Sequence, residues 1–154
     1  MLILKRRFDY FPFTEQFVLR IPSTIHEEFA ASVSGHILEQ LRLISKRPDS
    51  SGEFTRDIQS GRSTTIIFDD SEYGKHDLDD QFRHKKVRYP GIVLKIIYSQ
   101  KRSALAYLAD DYILGSDGNI RVVIGLNIQH SGKEATLSVW RLQLVAKEDE
   151  LRAE

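Results

Sequence analysis

One residue is chemically out of place in this 154-residue chain. Lys95 interrupts the apolar run Ile92-Val93-Leu94-Lys95-Ile96-Ile97-Tyr98. An ammonium inside a buried strand is costly unless it meets an anion or reaches a cleft. The two-residue period of a strand puts Lys95 on the face of Val93, Ile97 and Ser99. That face is expected to open on a polar cleft holding carboxylates. The plainer alternative is a lysine whose stem runs past a helix to water. Asp79, sixteen positions upstream, and Asp80 are the candidate carboxylates. Neighbours on a strand point to opposite sides, so only one of them can share a cleft with Lys95. Both could instead belong to an exposed acidic turn.

The charges nearby are segregated. Asp69, Asp70, Glu72, Asp77, Asp79 and Asp80 precede Arg83-His84-Lys85-Lys86 and Arg88, and Lys101-Arg102 follow the apolar run. Carboxylates beside a basic patch suit a metal-dependent nuclease, with acids for the cation and bases for phosphate. A charged hairpin of balanced sign has the same composition. If nucleic acid binds, Lys85, Lys86, Arg88, Lys101 and Arg102 are expected to include the phosphate contacts. Other chemistries lack their residues. The absence of cysteine removes disulfides and thiolate metal sites. His26, His36, His76, His84 and His130 contain no close metal-ligand pair, and no Gly-rich phosphate loop or recognisable serine triad is present.

Bulk properties set the frame. The length fits one domain with a real core, and 41% apolar with 29% charged residues is ordinary for a globular protein. Basic and acidic residues balance at 22 each, which argues against coating nucleic acid by bulk charge. No apolar run approaches the roughly 18 residues needed to span a bilayer, so no membrane partner is expected. The opening Met1-Leu2-Ile3-Leu4-Lys5-Arg6-Arg7 reverses the order of a signal peptide, which points to an intracellular, cytoplasmic or nuclear protein.

The elements around Lys95 follow from pattern. Residues 1–22 read as an aromatic-rich N-terminal arm with a short strand from Phe17 to Ile21, 23–147 as the domain, and 148–154 as a charged tail. Thr24 and Glu27 fit a capping box, and Ile25, Phe29, Val33, Ile37, Leu41 and Ile44 form a helical stripe ending near Ser45. Lys46 to Arg62 reads as a long loop, with at most one helical turn near Phe54 and Ile58. Thr64 to Phe68 and Gln81 to Val87 read as strands, the second near an edge. Ile92 to Ser99 reads as a central strand covered on both faces. A helix is expected over Lys101 to Leu114, then strands over Ile120 to Ile128 and Ala135 to Val145, the last with a bulge near Val139 and Trp140. The order predicts an α/β fold with one mixed sheet flanked by helices.

Three stretches carry a resemblance. They are His76-Asp77-Leu78-Asp79-Asp80-Gln81-Phe82, Tyr89-Pro90-Gly91-Ile92-Val93-Leu94-Lys95 and Tyr98-Ser99-Gln100. Together they resemble a group of uncharacterised fungal proteins similar to the PD-(D/E)XK nucleases of the restriction-endonuclease-like superfamily. Leu105 to Gly118, Ile120 to Gly125 and Ile25-His26-Glu27-Glu28-Phe29 extend the likeness to about two thirds of the chain. The resemblance implies a restriction-endonuclease-like fold. It implies that Asp79 stands at the cation-binding aspartate and that Asp80 is a second metal candidate, with Leu78 where proline is common. Lys95 stands where an acidic metal ligand is expected, and Ile97 where the motif lysine is expected. Gln100 is close enough to add a polar group, and Glu39 on the first helix is an extra acid that is expected to face solvent.

Carboxylates hold the magnesium that activates water in such enzymes, so the reversed charge at position 95 bears directly on catalysis. Three functions follow. The first is a degenerate nuclease-fold domain that binds nucleic acid or a protein partner. The second is an active magnesium-dependent nuclease using substitute acids. The third is a structural or partner-binding remnant. In the first, Lys95 occupies the former metal position and pairs with Asp79 or Asp80.

Overall fold

The computed structural model describes residues 7–20, 23–98, 102–129 and 134–144. A hairpin comes first, β1 (Arg7–Phe11) and β2 (Gln16–Arg20). Helix α1 (Thr24–Ser45) follows, then α2 (Ser50–Thr55), β3 (Ile58–Ser60), β4 (Thr64–Ile67), β5 (Lys75–Leu78) and β6 (Asp80–His84). Strand β7 (Ile92–Tyr98), helix α3 (Arg102–Gly115), β8 (Val122–Ile128) and β9 (Ala135–Arg141) complete the mixed α/β unit.

The strands form two sheets, in the orders β2-β1-β5-β4 and β3-β6-β7-β8-β9. In the larger one β7 and β8 run parallel, with Lys95 opposite Gly125, and the other pairs are antiparallel. The expected central strand is therefore central, between β6 and β8. Five of its seven residues are buried. Val93 packs with Leu108, Ala109 and Tyr112 of α3, whereas Leu94 and Ile96 pack with Ala30 of α1. Burying each such aliphatic side chain is worth about 1.5–3 kcal/mol.

Asp79 is where the chain changes sheets. Strands β5 and β6 would be one continuous strand but for this residue. Before it the chain pairs with β1 and β4, and after it with β3 and β7. The Asp79 N–H still bonds Leu94 O at 3.0 Å. A corner of this kind lets one strand serve two packed sheets.

Helix α1 has the expected bounds, but Ser23 rather than Thr24 is its N-cap, accepting from the His26 N–H at 3.2 Å. Its buried line is His26, Ala30 and Ser34, with Phe29 and Val33 beside it. Ile25 lies outside that line and is exposed.

Four other expectations differ from the structure. The segment read as an arm supplies β1 besides β2, which answers to the expected short strand, and β1 pairs with both β2 and β5. The segment read as a loop contains α2, capped by Asp49 through the Gly52 N–H, and β3. Strand β6 pairs with the edge strand β3 and so lies near the edge as expected, but the one expected mixed sheet is two sheets. Strand β9 has no bulge: it pairs residue for residue with β8 from Ala135 to Arg141. Leu137 and Val139 suggested a change of phase, but both are exposed apolar residues on one face of an outer strand. Glu39 faces solvent. No described helix is long and apolar enough to cross a membrane.

Gly125 lets Lys95's neighbouring strand pass beneath bulky side chains. A Cβ there would lie 2.7 Å from Trp140 Cζ3 and 3.1 Å from Leu105 Cδ1. Gly125→Ala is therefore expected to overpack this layer and cost about 1–3 kcal/mol in urea unfolding. A variant as stable as the parent would show that Trp140 and Leu105 move aside freely.

Candidate functional site

Lys95 is fully buried on β7 and points toward the smaller sheet. Its Nζ donates to Asp9 Oδ1 on β1 at 2.9 Å and to the Asp77 carbonyl on β5. The cleft expected on this face is thus a sealed seam between the two sheets. The hydrogen-bonded carboxylate is Asp9, neither Asp79 nor Asp80, although the Asp79 charge also acts on Lys95. Asp9 sits in the segment read as an arm, which is why it was not among the expected partners.

Asp9 has further partners. Arg20 of β2 donates to its Oδ2, and His76 Nδ1 lies 3.3 Å from its Oδ1. Arg20 also reaches the carbonyls of Ile96 and Asp77, each at 3.5 Å. Burial pushes the Asp9 carboxyl up, but Lys95, His76 and Arg20 together bring it down to about 2. Burial pulls the Lys95 ammonium down to about 8, because Asp9 and Asp79 restore only part of what desolvation and nearby Arg20 remove. The pair is unequal for a geometric reason: Lys95, Arg20 and His76 all converge on Asp9, whereas Lys95 shares Asp9 with Arg20. At neutral pH both groups carry their charge.

Asp79 is equally committed. Arg7 Nη1 donates to its Oδ1, and the Ile96 N–H donates to its Oδ2 at 2.5 Å. His26 Nε2 stands 3.2 Å from Asp79 Oδ1 and 3.3 Å from the Ile96 carbonyl. Both neighbours accept, so this nitrogen must carry the proton. Burial raises the Asp79 carboxyl, but His26, Lys95 and Arg7 hold it below its ordinary value. Asp77 accepts from the Phe8 N–H at 2.7 Å and from the Thr65 hydroxyl. The buried acids Asp9, Asp77 and Asp79 thus stand against Arg7, Arg20 and Lys95.

Asp80 turns the other way. Its Oδ1 accepts from Ser60 Oγ at 2.8 Å and from the Gln81 N–H at 2.7 Å. Asp79 and Asp80 therefore do not converge on one cation. Among the described residues no three His, Asp or Glu side chains gather as a metal centre. The expected magnesium pair does not fit this geometry, because the Asp79 oxygens already hold a guanidinium and a backbone amide.

The basic candidates are dispersed. Lys85 Nζ lies 2.6 Å from Asp57 Oδ1, and Arg88 forms a bidentate pair with Asp69 at 2.7 and 2.8 Å. Lys86 is exposed. Gln100, Lys101 and the Arg102 side chain lie outside the described residues. Ile97 is buried and apolar.

The residues missed from sequence are Arg7, Asp9, Arg20, His26 and His76. A signal for β1 existed in Arg7, Asp9 and Phe11, which alternate with Phe8 and Tyr10 in strand fashion. No protein-family model matches the chain, and neither the curated proteins nor the solved structures contain a match.

Acid should weaken this seam. The unfolded chain takes up the Asp9 proton near its ordinary 3.8, whereas the fold refuses it until about 2. More protons are bound by the unfolded state in that window, so stability is present above about 4 and lost as pH falls through about 2. Asp9 alone is expected to account for about 2 kcal/mol, measured by urea unfolding across the acid range. A flat profile between those values would mean that Asp9 is not held charged.

Proposed function

We propose that the chain is a non-catalytic binding domain of restriction-endonuclease-like ancestry, in which built-in cations replace the divalent metal. The observation that carries this reading is the fully buried Lys95 ammonium on Asp9 and the Asp77 carbonyl, with Arg7 on Asp79. Carboxylates in a nuclease site repel one another until a metal relieves them. Here an ammonium and two guanidiniums supply that relief, and they also repel a metal from the same space. Asp79 then serves structure: it closes the sheet corner by accepting the Ile96 N–H. Hydrolysis with substitute ligands would require Asp79 to give up Arg7 and Ile96 together.

The partner we favour is a protein. Lys85 and Arg88 already hold Asp57 and Asp69, so their charges are locally offset before any phosphate arrives. Apolar side chains remain on the surface of the hairpin, with Phe17 and Leu19 more than half exposed. Exposed apolar surface of this kind marks association sites when it is contiguous.

Two measurements on the parent protein test the reading. Millimolar magnesium should leave the melting temperature unchanged, since a ligand stabilises only a state that it binds. Plasmid DNA should not be nicked with magnesium or manganese. Magnesium stabilisation of the parent, or metal-dependent nicking, would overturn it.

The restoring substitution should behave differently. Lys95→Glu places a carboxylate beside Asp9 and removes its counter-charge, at a cost of about 3–5 kcal/mol. Part of that loss should return with magnesium or manganese in thermal melts. A metal-insensitive Lys95→Glu protein would remove the link between position 95 and a cation site.

DNA binding, where detected, should have a shallow salt dependence and change little in Lys85→Gln with Lys86→Gln. Steep salt-dependent binding that these changes abolish would restore nucleic acid as the partner.

A further inference from the structure

A cavity of about 670 Å³ lies between the β1–β2 hairpin and α3. This volume falls within the range of small-molecule sites, roughly 300–1,000 Å³. Its wall is mostly apolar and includes the rings of Phe11, Phe13 and Tyr107. Phe13 and Tyr107 stay 98% and 67% exposed, so these rings are not consumed by the core.

Among the described residues, the charged members of the wall are Asp9, Glu72 and Asp111, with no lysine, arginine or histidine. They differ in how far they are already used. Asp9 is nearly sealed and neutralised by Lys95 and Arg20 behind it. Asp111 is a quarter exposed and gives Oδ2 to His76 Nε2 at 2.8 Å, and its other oxygen has no partner among the described residues. The Glu72 carboxylate is exposed and has no ion-pair partner among the described residues. The negative field that a ligand would meet therefore comes from Glu72 and Asp111. His76, lodged between Asp9 and Asp111, fixes the orientation of the latter.

Aromatic faces and carboxylates attract the same kind of group. A ring face is the negative part of an aromatic quadrupole and draws a cation within about 6 Å of its centroid. An anionic ligand would meet like charge on every charged wall residue. A purely apolar ligand would leave Glu72 and Asp111 without any gain. A peptide backbone would need a long groove with donors and acceptors along it, whereas this wall is short, half open and mostly apolar.

We propose that this cavity binds a small organic cation, an ammonium or guanidinium group carried on a short apolar or aromatic body. The head group sits by Asp111 and Glu72, and the body lies against Phe11, Phe13 and Tyr107. The cavity shares Asp9 with the buried seam, but Glu72 and Tyr107, which would meet the ligand, make no described contact with Lys95 or Asp79. It would stand whether or not position 95 replaces a metal.

Calorimetric titration of the full chain with three probes of one shape tests this. The probes are 2-phenylethylammonium, neutral 2-phenylethanol and anionic 3-phenylpropionate. The ammonium should bind about tenfold tighter than the alcohol, the equivalent of one modest charge pair. The propionate should not bind. Glu72→Gln and Tyr107→Ala should each weaken the ammonium several-fold while leaving the melting temperature unchanged, since both side chains are exposed. Glu39→Gln on α1 should leave binding intact. Equal affinity for ammonium and alcohol, no binding of the ammonium at millimolar concentration, or indifference to Glu72→Gln would each overturn the proposal. So would an arginine-containing peptide that binds where the free amine does not.

Discussion

A single ammonium buried between two sheets sets the terms for the rest of this protein. Lys95 lies in the middle strand of the larger sheet with no access to water. Left alone it would lose its proton or open the seam, because desolvating an isolated charge costs far more than one side chain's packing returns. Its presence therefore requires Asp9, and Asp9 requires β1 to lie across β5. The N-terminal hairpin is in this sense held by charge as well as by its ladder. Removing either partner would strand the other, which is the costly way to break a buried pair.

Much of the scaffold could be read from the sequence. The apolar residues on either side of Lys95 in β7 announced a strand with both faces covered, and the period of two placed Lys95 beside Val93 and Ile97. The same period separated Asp79 from Asp80, and their carboxylates do face different partners. The span of α1 followed from its apolar recurrence. What stayed hidden was the partner of Lys95. Asp9 is 86 positions away, and no local pattern links the two. The aromatic content of residues 8–17 drew attention to packing, whereas the polar residues between those rings, Arg7 and Asp9, make the decisive contacts. Surface apolar residues misled in the opposite direction: Leu137 and Val139 suggested a bulge because exposure of an outer strand is not written in residue type.

The seam also explains why several acids close in sequence have separate fates. Asp77, Asp79 and Asp80 sit within four positions but serve three tasks. Asp77 accepts from the Phe8 amide of β1, Asp79 closes the corner at Ile96, and Asp80 ties β3 through Ser60. The strand changes sheets at Asp79, so its side chains meet three different environments within one short stretch. An acidic cluster in sequence need not be an acidic cluster in space. The charge that does accumulate near open space is Glu72 and Asp111, contributed by the turn before β5 and by α3.

The most direct test concerns the charge on Lys95 itself. Nitrogen-15 NMR of the lysine side-chain ammonium, on protein labelled at Nζ, distinguishes the charged from the neutral group and follows its titration. Lys95 is expected to be charged at pH 6, slow to exchange with water, and to titrate at about 8, well below the ordinary 10.5. Asp9→Asn should lower that midpoint further, because Asp9 is the main influence holding the proton on. A Lys95 that titrates at its ordinary value with rapid solvent exchange would contradict a built-in cation at the centre of the fold, as would one already neutral at pH 6.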